Sequence, residues 1–270
     1  MVVRSGGGRR GHPLLLCGCI LPFLAGMLGG CSKPERSAPL TQSLAVPAYF
    51  EPGPLWTRLA AGHPTVVMAV LNPNSGVGAV SNAKLVQAVR DVRTAGVQVI
   101  GYVHTDYGRR ATDEVVAEIE RYSEWYGVDG IFLDEASTTC TDEAYYASLN
   151  ASVKRTRSDA MTVLNPGTQT MECFMSVADV VITFEGNYDS YIADYVSPKW
   201  VASYPSGRFW HLVYGASTSV RMRGAVALSK SRRAGWIYVT PEELPNPWGT
   251  LPGEGYWSEQ LRAARGAAKA

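Results

Sequence analysis

The chain has 270 residues, 46% hydrophobic and 18% charged, enough apolar material for one large globular domain with a sizeable core. Its formal net charge is +1. Three of its 25 basic residues, Arg4, Arg9 and Arg10, precede Cys31, and removing them leaves 22 against 24 acidic residues. No basic patch stands out, so nucleic acid is not an expected partner.

Residues 1–31 read as an export signal. A basic stretch, MVVRSGGGRRGHP, precedes an apolar run that Gly and Pro interrupt too often for a spanning helix. The run ends in Leu28-Gly29-Gly30-Cys31, the pattern of a bacterial lipobox, which predicts that Cys31 is lipidated and anchors the protein at the cell envelope, on the outer membrane or cell surface. An ordinary secretory signal or an uncleaved anchor is the alternative. Residues 32–43 are polar and Pro-containing, a tether. Of five cysteines, Cys17 and Cys19 belong to the signal and Cys31 carries the lipid; Cys140 and Cys173 remain. An even pair in an oxidising compartment predicts a disulfide, the alternative being two unrelated buried thiols.

From residue 44 to 270 the chain alternates. Apolar runs at 44–50, 65–71, 97–103, 128–134, 161–165, 179–185, 209–214 and 235–240 are eight candidate strands, most of them continuous enough to be covered on both faces. Between them lie helical patterns. In 82–95, Leu85, Val89 and Val92 share a face, with Gly96 placed to end the helix. In 112–126, Val115, Ile119, Tyr122 and Tyr126 do so, with Thr112 as the expected cap. In 142–157 the buried face is expected to be Tyr145, Leu149 and Val153. Segments 188–202, 218–232 and 258–268 are further candidates, and 54–61 and 170–178 shorter ones. This alternation predicts an α/β fold, the (β/α)8 TIM barrel; an open doubly wound sheet is the alternative, but no G-x-G-x-x-G follows an early strand.

A barrel puts its chemistry at the C-terminal ends of the strands. Polar residues collect there: Tyr49 and Glu51; Asn72 and Asn74; His104, Asp106, Tyr107, Arg109 and Arg110; Asp134 and Glu135; Asn165; Glu185; Tyr214; Glu242 and Trp248. Acids at the ends of strands 4 and 6 suit glycosidic bond cleavage, for which one carboxyl must hold a proton while the other is ionised. Against this stand plainer readings. Each acid could pair with Arg109 or Arg110, the aromatics could be wall packing, His104 a satisfied loop residue, and Asn72-Pro73 and Asn165-Pro166 turn initiators.

The stretches NPNSG, GYVHTDYGRR, VDGIFLDE, LNPGT and FE occur in this order at successive strand ends, over roughly residues 44–257. In this the chain resembles the spherulation-specific family 4 proteins, a group similar to glycoside hydrolase family 135. The resemblance implies a (β/α)8 barrel and endo-acting hydrolysis of α-1,4-linked N-acetylgalactosamine in a galactosamine-containing exopolysaccharide. It maps the essential acids onto Asp134, Glu135 and Glu185. By analogy with other barrels, Asp134 is the nucleophile or charge stabiliser, Glu185 the general acid, and Glu135 a positioning group; the first two roles are exchangeable. Substrate contacts are expected from Tyr49, Asn72, Asn74, Tyr102, His104, Tyr107, Arg109, Asn165 and Tyr214. The lipoprotein-like signal departs from the fungal members and leaves a bacterial amino-sugar polymer open as the substrate. A non-catalytic polysaccharide-binding lipoprotein is the alternative function. A metal-dependent phosphodiesterase would need clustered histidines, and there are four in all. No cofactor and no metal are expected, and the protein is expected to be a monomer.

Overall fold

The computed structural model describes residues 42–266; Cys31, the signal and most of the tether lie outside the described residues. Eight parallel strands close into a barrel in sequence order: β1 (Ser43–Ala48), β2 (Val66–Leu71), β3 (Gln98–His104), β4 (Gly130–Asp134), β5 (Met161–Leu164), β6 (Val180–Asn187), β7 (Phe209–Tyr214) and β8 (Trp236–Val239). The fold is thus a (β/α)8 TIM barrel, as the alternation required. Strands β2, β3 and β7 are buried almost throughout, because helices cover one face and the barrel interior the other.

Seven α-helices occur among the described residues: α1 (Pro54–Ala60), α2 (Ala83–Thr94), α3 (Thr112–Tyr126), α4 (Glu143–Thr156), α5 (Tyr188–Ala193), α6 (Ser219–Ser231) and α7 (Glu254–Arg265). Asn82 caps α2 by accepting from the Lys84 and Leu85 amides, and Gly96, at φ 96°, turns the chain into β3. Thr112 is the first residue of α3 rather than its cap; Ala111 holds the cap position with no side-chain hydrogen bond. In α4, Tyr146 and not Tyr145 is fully buried, and Tyr145 donates to the Arg110 carbonyl instead.

Three helical expectations need correction. The 188–202 segment is helical only to Ala193, and the chain resumes as a 3-10 turn at Lys199–Ser203, with Pro198 in the cap position. The 170–178 segment is a single 3-10 turn, Glu172–Ser176, leaving β5 and β6 without an α-helix between them. Helix α7 starts at Glu254 and not at 258, with Gly253 in the cap position.

The barrel interior is filled, not hollow. Tyr49 meets Tyr102 edge-on at 5.5 Å between centroids, Tyr102 stacks on Phe132 at 6.1 Å, and Phe132 meets Trp210 edge-on at 5.7 Å. This aromatic column forms an apolar floor beneath the mouth.

Candidate active site

The mouth holds a cavity of about 430 Å3 whose floor is Phe132 and Leu212 and whose polar groups include Asp134, Asn165 and Glu185. Asp134 ends β4, and Glu185 lies near the end of β6. Asn165 follows β5 and stands between them. Its Nδ2 donates to Asp134 Oδ1 at 2.7 Å and to Glu185 Oε2 at 2.5 Å. Its own Oδ1 accepts from the Gly167 amide at 3.1 Å, which fixes the orientation of the amide group. Because both acid oxygens contact one nitrogen, Asp134 Oδ1 and Glu185 Oε2 stand no farther apart than about 5 Å, near enough for the two carboxyl groups to meet the same bond.

Among the described residues no arginine pairs with either acid: Arg109 pairs with Asp106 at 2.5 Å and Arg110 with Glu118 at 2.7 Å. The apolar floor therefore acts on them undiluted. Burial, then the charge of Asp134, pushes Glu185 up to about 7, against the pull of hydrogen bonds from Asn165 and Trp248. Burial also raises Asp134 above its ordinary value, with hydrogen bonds from Tyr102, the Glu135 amide and Asn165 opposing it. The phenols of Tyr102 and Tyr49 are raised, first by burial and then by Asp134, so both remain neutral donors.

Of the residues expected to contact substrate, Tyr49, Asn72, Asn74, Tyr102, Asn165 and Tyr214 line this cavity. The other three expected contacts, His104, Tyr107 and Arg109, lie outside that lining, and so does Glu135. Asp106 and Tyr107 adopt left-handed backbone, at φ 49° and 55°, and swing the loop after β3 outward, leaving Tyr107 and Arg109 exposed. His104 is held by Arg110, which donates to its carbonyl at 2.9 Å. Glu135, itself left-handed at φ 48°, offers its carbonyl to Tyr107 and Thr105, so it shapes the turn behind Asp134. Trp248, one of the aromatics at the strand ends that could stack on a sugar, forms one wall together with residues 244–247, which the sequence reading did not single out. Its signal was the sequence Pro-Asn-Pro-Trp, turn formers around a large aromatic in a strand-end loop.

The rim is braced. Glu118, buried on α3, takes Arg110 on one oxygen and the Val77 amide on the other at 2.9 Å, fixing the loop after β2. A disulfide joins Cys140, after β4, to Cys173, before β6. Among the described residues, no three His, Cys, Asp or Glu side chains converge as metal ligands.

A closed (β/α)8 barrel with two carboxylates bridged by one amide at its mouth defines a class: barrels whose polar groups gather at the C-terminal face, where a ligand can enter. The particular family follows from the sequence: residues 43–264 match the model of spherulation-specific family 4, and the chain belongs to that family. It is 35% identical over 208 residues to Spherulin-4 of Physarum polycephalum, a match covering 73% of this chain and 62% of Spherulin-4, so the chain spans less than two thirds of that relative. The Aspergillus clavatus protein Sph3, solved in complex with GalNAc, superposes with a TM-score of 0.73 at 26% identity, covering 84% of this chain and 98% of that one. A chitinase from Chromobacterium violaceum shares the fold, with a TM-score of 0.56 at 10% identity over 83% of this chain and all of its own.

Proposed function

We propose that the protein is an endo-acting glycoside hydrolase of amino-sugar exopolysaccharides, cleaving α-1,4-linked N-acetylgalactosamine or galactosamine. The observation that carries the reading is the pair Asp134 and Glu185, held by one Asn165 nitrogen in a cavity without a neutralising arginine. The GalNAc bound in the related Aspergillus protein supports the sugar class.

Glu185, pushed to about 7, holds a proton near neutral pH and donates it to the glycosidic oxygen as that oxygen leaves the anomeric carbon. The Asp134 carboxylate, within reach of the same bond, adds to the anomeric carbon. Glu185, now ionised, then takes a proton from water, whose oxygen attacks the anomeric carbon and releases Asp134. The sugar leaves with retained configuration. Tyr102 and Asn165 keep Asp134 supplied with donors while it is charged.

The test is incubation of purified α-1,4 galactosamine polymers, acetylated and partly deacetylated, with mass spectrometry of the products. Wild type releases oligomers, while Asp134→Asn and Glu185→Gln release essentially none. Release at the wild-type rate by the double variant, or no release from any polymer by wild type, removes the reading. The N-terminal segment extends the proposal: lipid on Cys31 holds a monomeric barrel at the cell envelope. Incorporation of a labelled fatty acid that Cys31→Ser abolishes is the matching measurement.

A further inference from the structure

We propose that the catalytic pocket continues into a second sugar-binding subsite, formed by α5, the turn after β7 and the start of α6, that favours an unacetylated, protonated amino sugar. The proposal rests on the hydrolase reading above. A second cavity, of about 650 Å3, adjoins the first and shares two walls with it, Tyr214 and Leu244. A polymer lying in the catalytic pocket must leave it somewhere, and this is a continuous route along the mouth.

The second cavity has an aromatic platform. Tyr188 opens α5 and is half-buried, and the Arg221 guanidinium lies 4.9 Å from its ring centroid and fixes it. The apolar C–H face of a hexose packs on such a ring. Its charge is lopsided. Asp189, Asp194 and Glu243 face one cation, Arg221, which Asp189 already engages at 3.3 Å. Glu243 is set there by the backbone: Gly215 has φ 69°, its amide donates to the Glu242 carbonyl at 2.8 Å, and a side chain on it would lie 2.8 Å from Glu243 Oε1. A neutral N-acetyl sugar can use the platform. A free amine adds an ammonium that Asp194 and Glu243 attract, and a uronic acid is repelled.

The experiment measures binding apart from chemistry. Glu185→Gln protein is titrated calorimetrically at mildly acidic pH with galactosamine and N-acetylgalactosamine oligomers of increasing length, while wild type is assayed for cleavage of the same oligomers. Adding Tyr188→Ala should weaken binding of the longer oligomers about tenfold. Adding Asp194→Asn with Glu243→Gln should lower the preference for galactosamine over its acetylated counterpart about threefold and flatten its salt dependence. If wild type cleaves but Tyr188→Ala leaves the affinity for every length unchanged, the subsite is refuted and the hydrolase reading stands. Tyr188-dependent binding of longer oligomers that wild type does not cleave supports the subsite and refutes the hydrolase reading. A platform effect with equal affinity for acetylated and free-amine oligomers, unchanged in the carboxylate variant, overturns the charge preference.

Discussion

Asp129 and Asp134 bracket the same strand, and their surroundings are opposites. At the N-terminal end of β4, Asp129 takes Arg93 on both oxygens at 2.9 and 2.8 Å, Arg157 at 3.0 Å and the Val99 amide at 2.9 Å. Burial alone would raise its pKa, but the Arg93 guanidinium, the Val99 amide and Arg157 together hold it below the ordinary carboxylate range. At the other end Asp134 has neutral donors only, and burial wins. The cavity beside Asp129 is also the larger of the two, about 610 Å3 against 430 Å3. The difference teaches that neither a buried acid nor a cavity makes a reactive site. An acid whose charge is answered stabilises the fold, and one left unanswered keeps chemistry in reserve.

The widest effect should come from the unanswered pair. Glu185→Gln removes the transferable proton and should lower kcat/KM by about a thousandfold, with circular dichroism unchanged. Wild-type kcat/KM should fall above about pH 7, as Glu185 ionises, and also fall on the acid side, at a pH above the ordinary aspartate range, as Asp134 protonates. An alkaline limb unmoved in a Glu185→Asp variant would reassign it. At the answered end, Asp129→Ala leaves Arg93 without its carboxylate while Arg157 keeps Asp159, and it should cost about 1–2 kcal/mol of stability, read as a lowered Tm, with little change in turnover of the folded fraction.

That so much was visible in the sequence has a physical basis. A strand covered on both faces must be apolar along its length, so the abrupt change to Asp134-Glu135 and to Glu185 marked the strand ends without any coordinates. The loops were less legible. Tyr107 and Arg109 follow β3 within a few residues, but two left-handed residues decide where that loop points, and non-glycine residues do not advertise such a turn. Asn165 was visible as a contact, but its place between two acids depends on β4, β5 and β6 arriving side by side. Trp248 reaches Glu185 from a loop that only barrel closure brings near.

Smaller changes sharpen the contrast. A carboxyl whose pKa is raised by folding contributes stability below its unfolded value and loses it as pH climbs through the folded one, here about 7. Glu185→Gln should therefore stabilise the protein by about 2 kcal/mol at alkaline pH and much less in acid, seen as a pH-dependent rise in Tm. Asp129→Asn should show no such gain. Asn165→Ala should lower kcat/KM about tenfold and move the alkaline limb upward, since the amide is among the groups that pull both acids down.

The fixed amide of Asn165 also decides where a hydrogen can ride. With its oxygen committed to Gly167, the nitrogen presents only donors to Asp134 Oδ1 and Glu185 Oε2, and a donor facing an O–H would leave two hydrogens in collision. The titrating hydrogen of Glu185 is thereby confined to Oε1. One side-chain amide thus works as an address for the proton, telling apart two chemically identical oxygens.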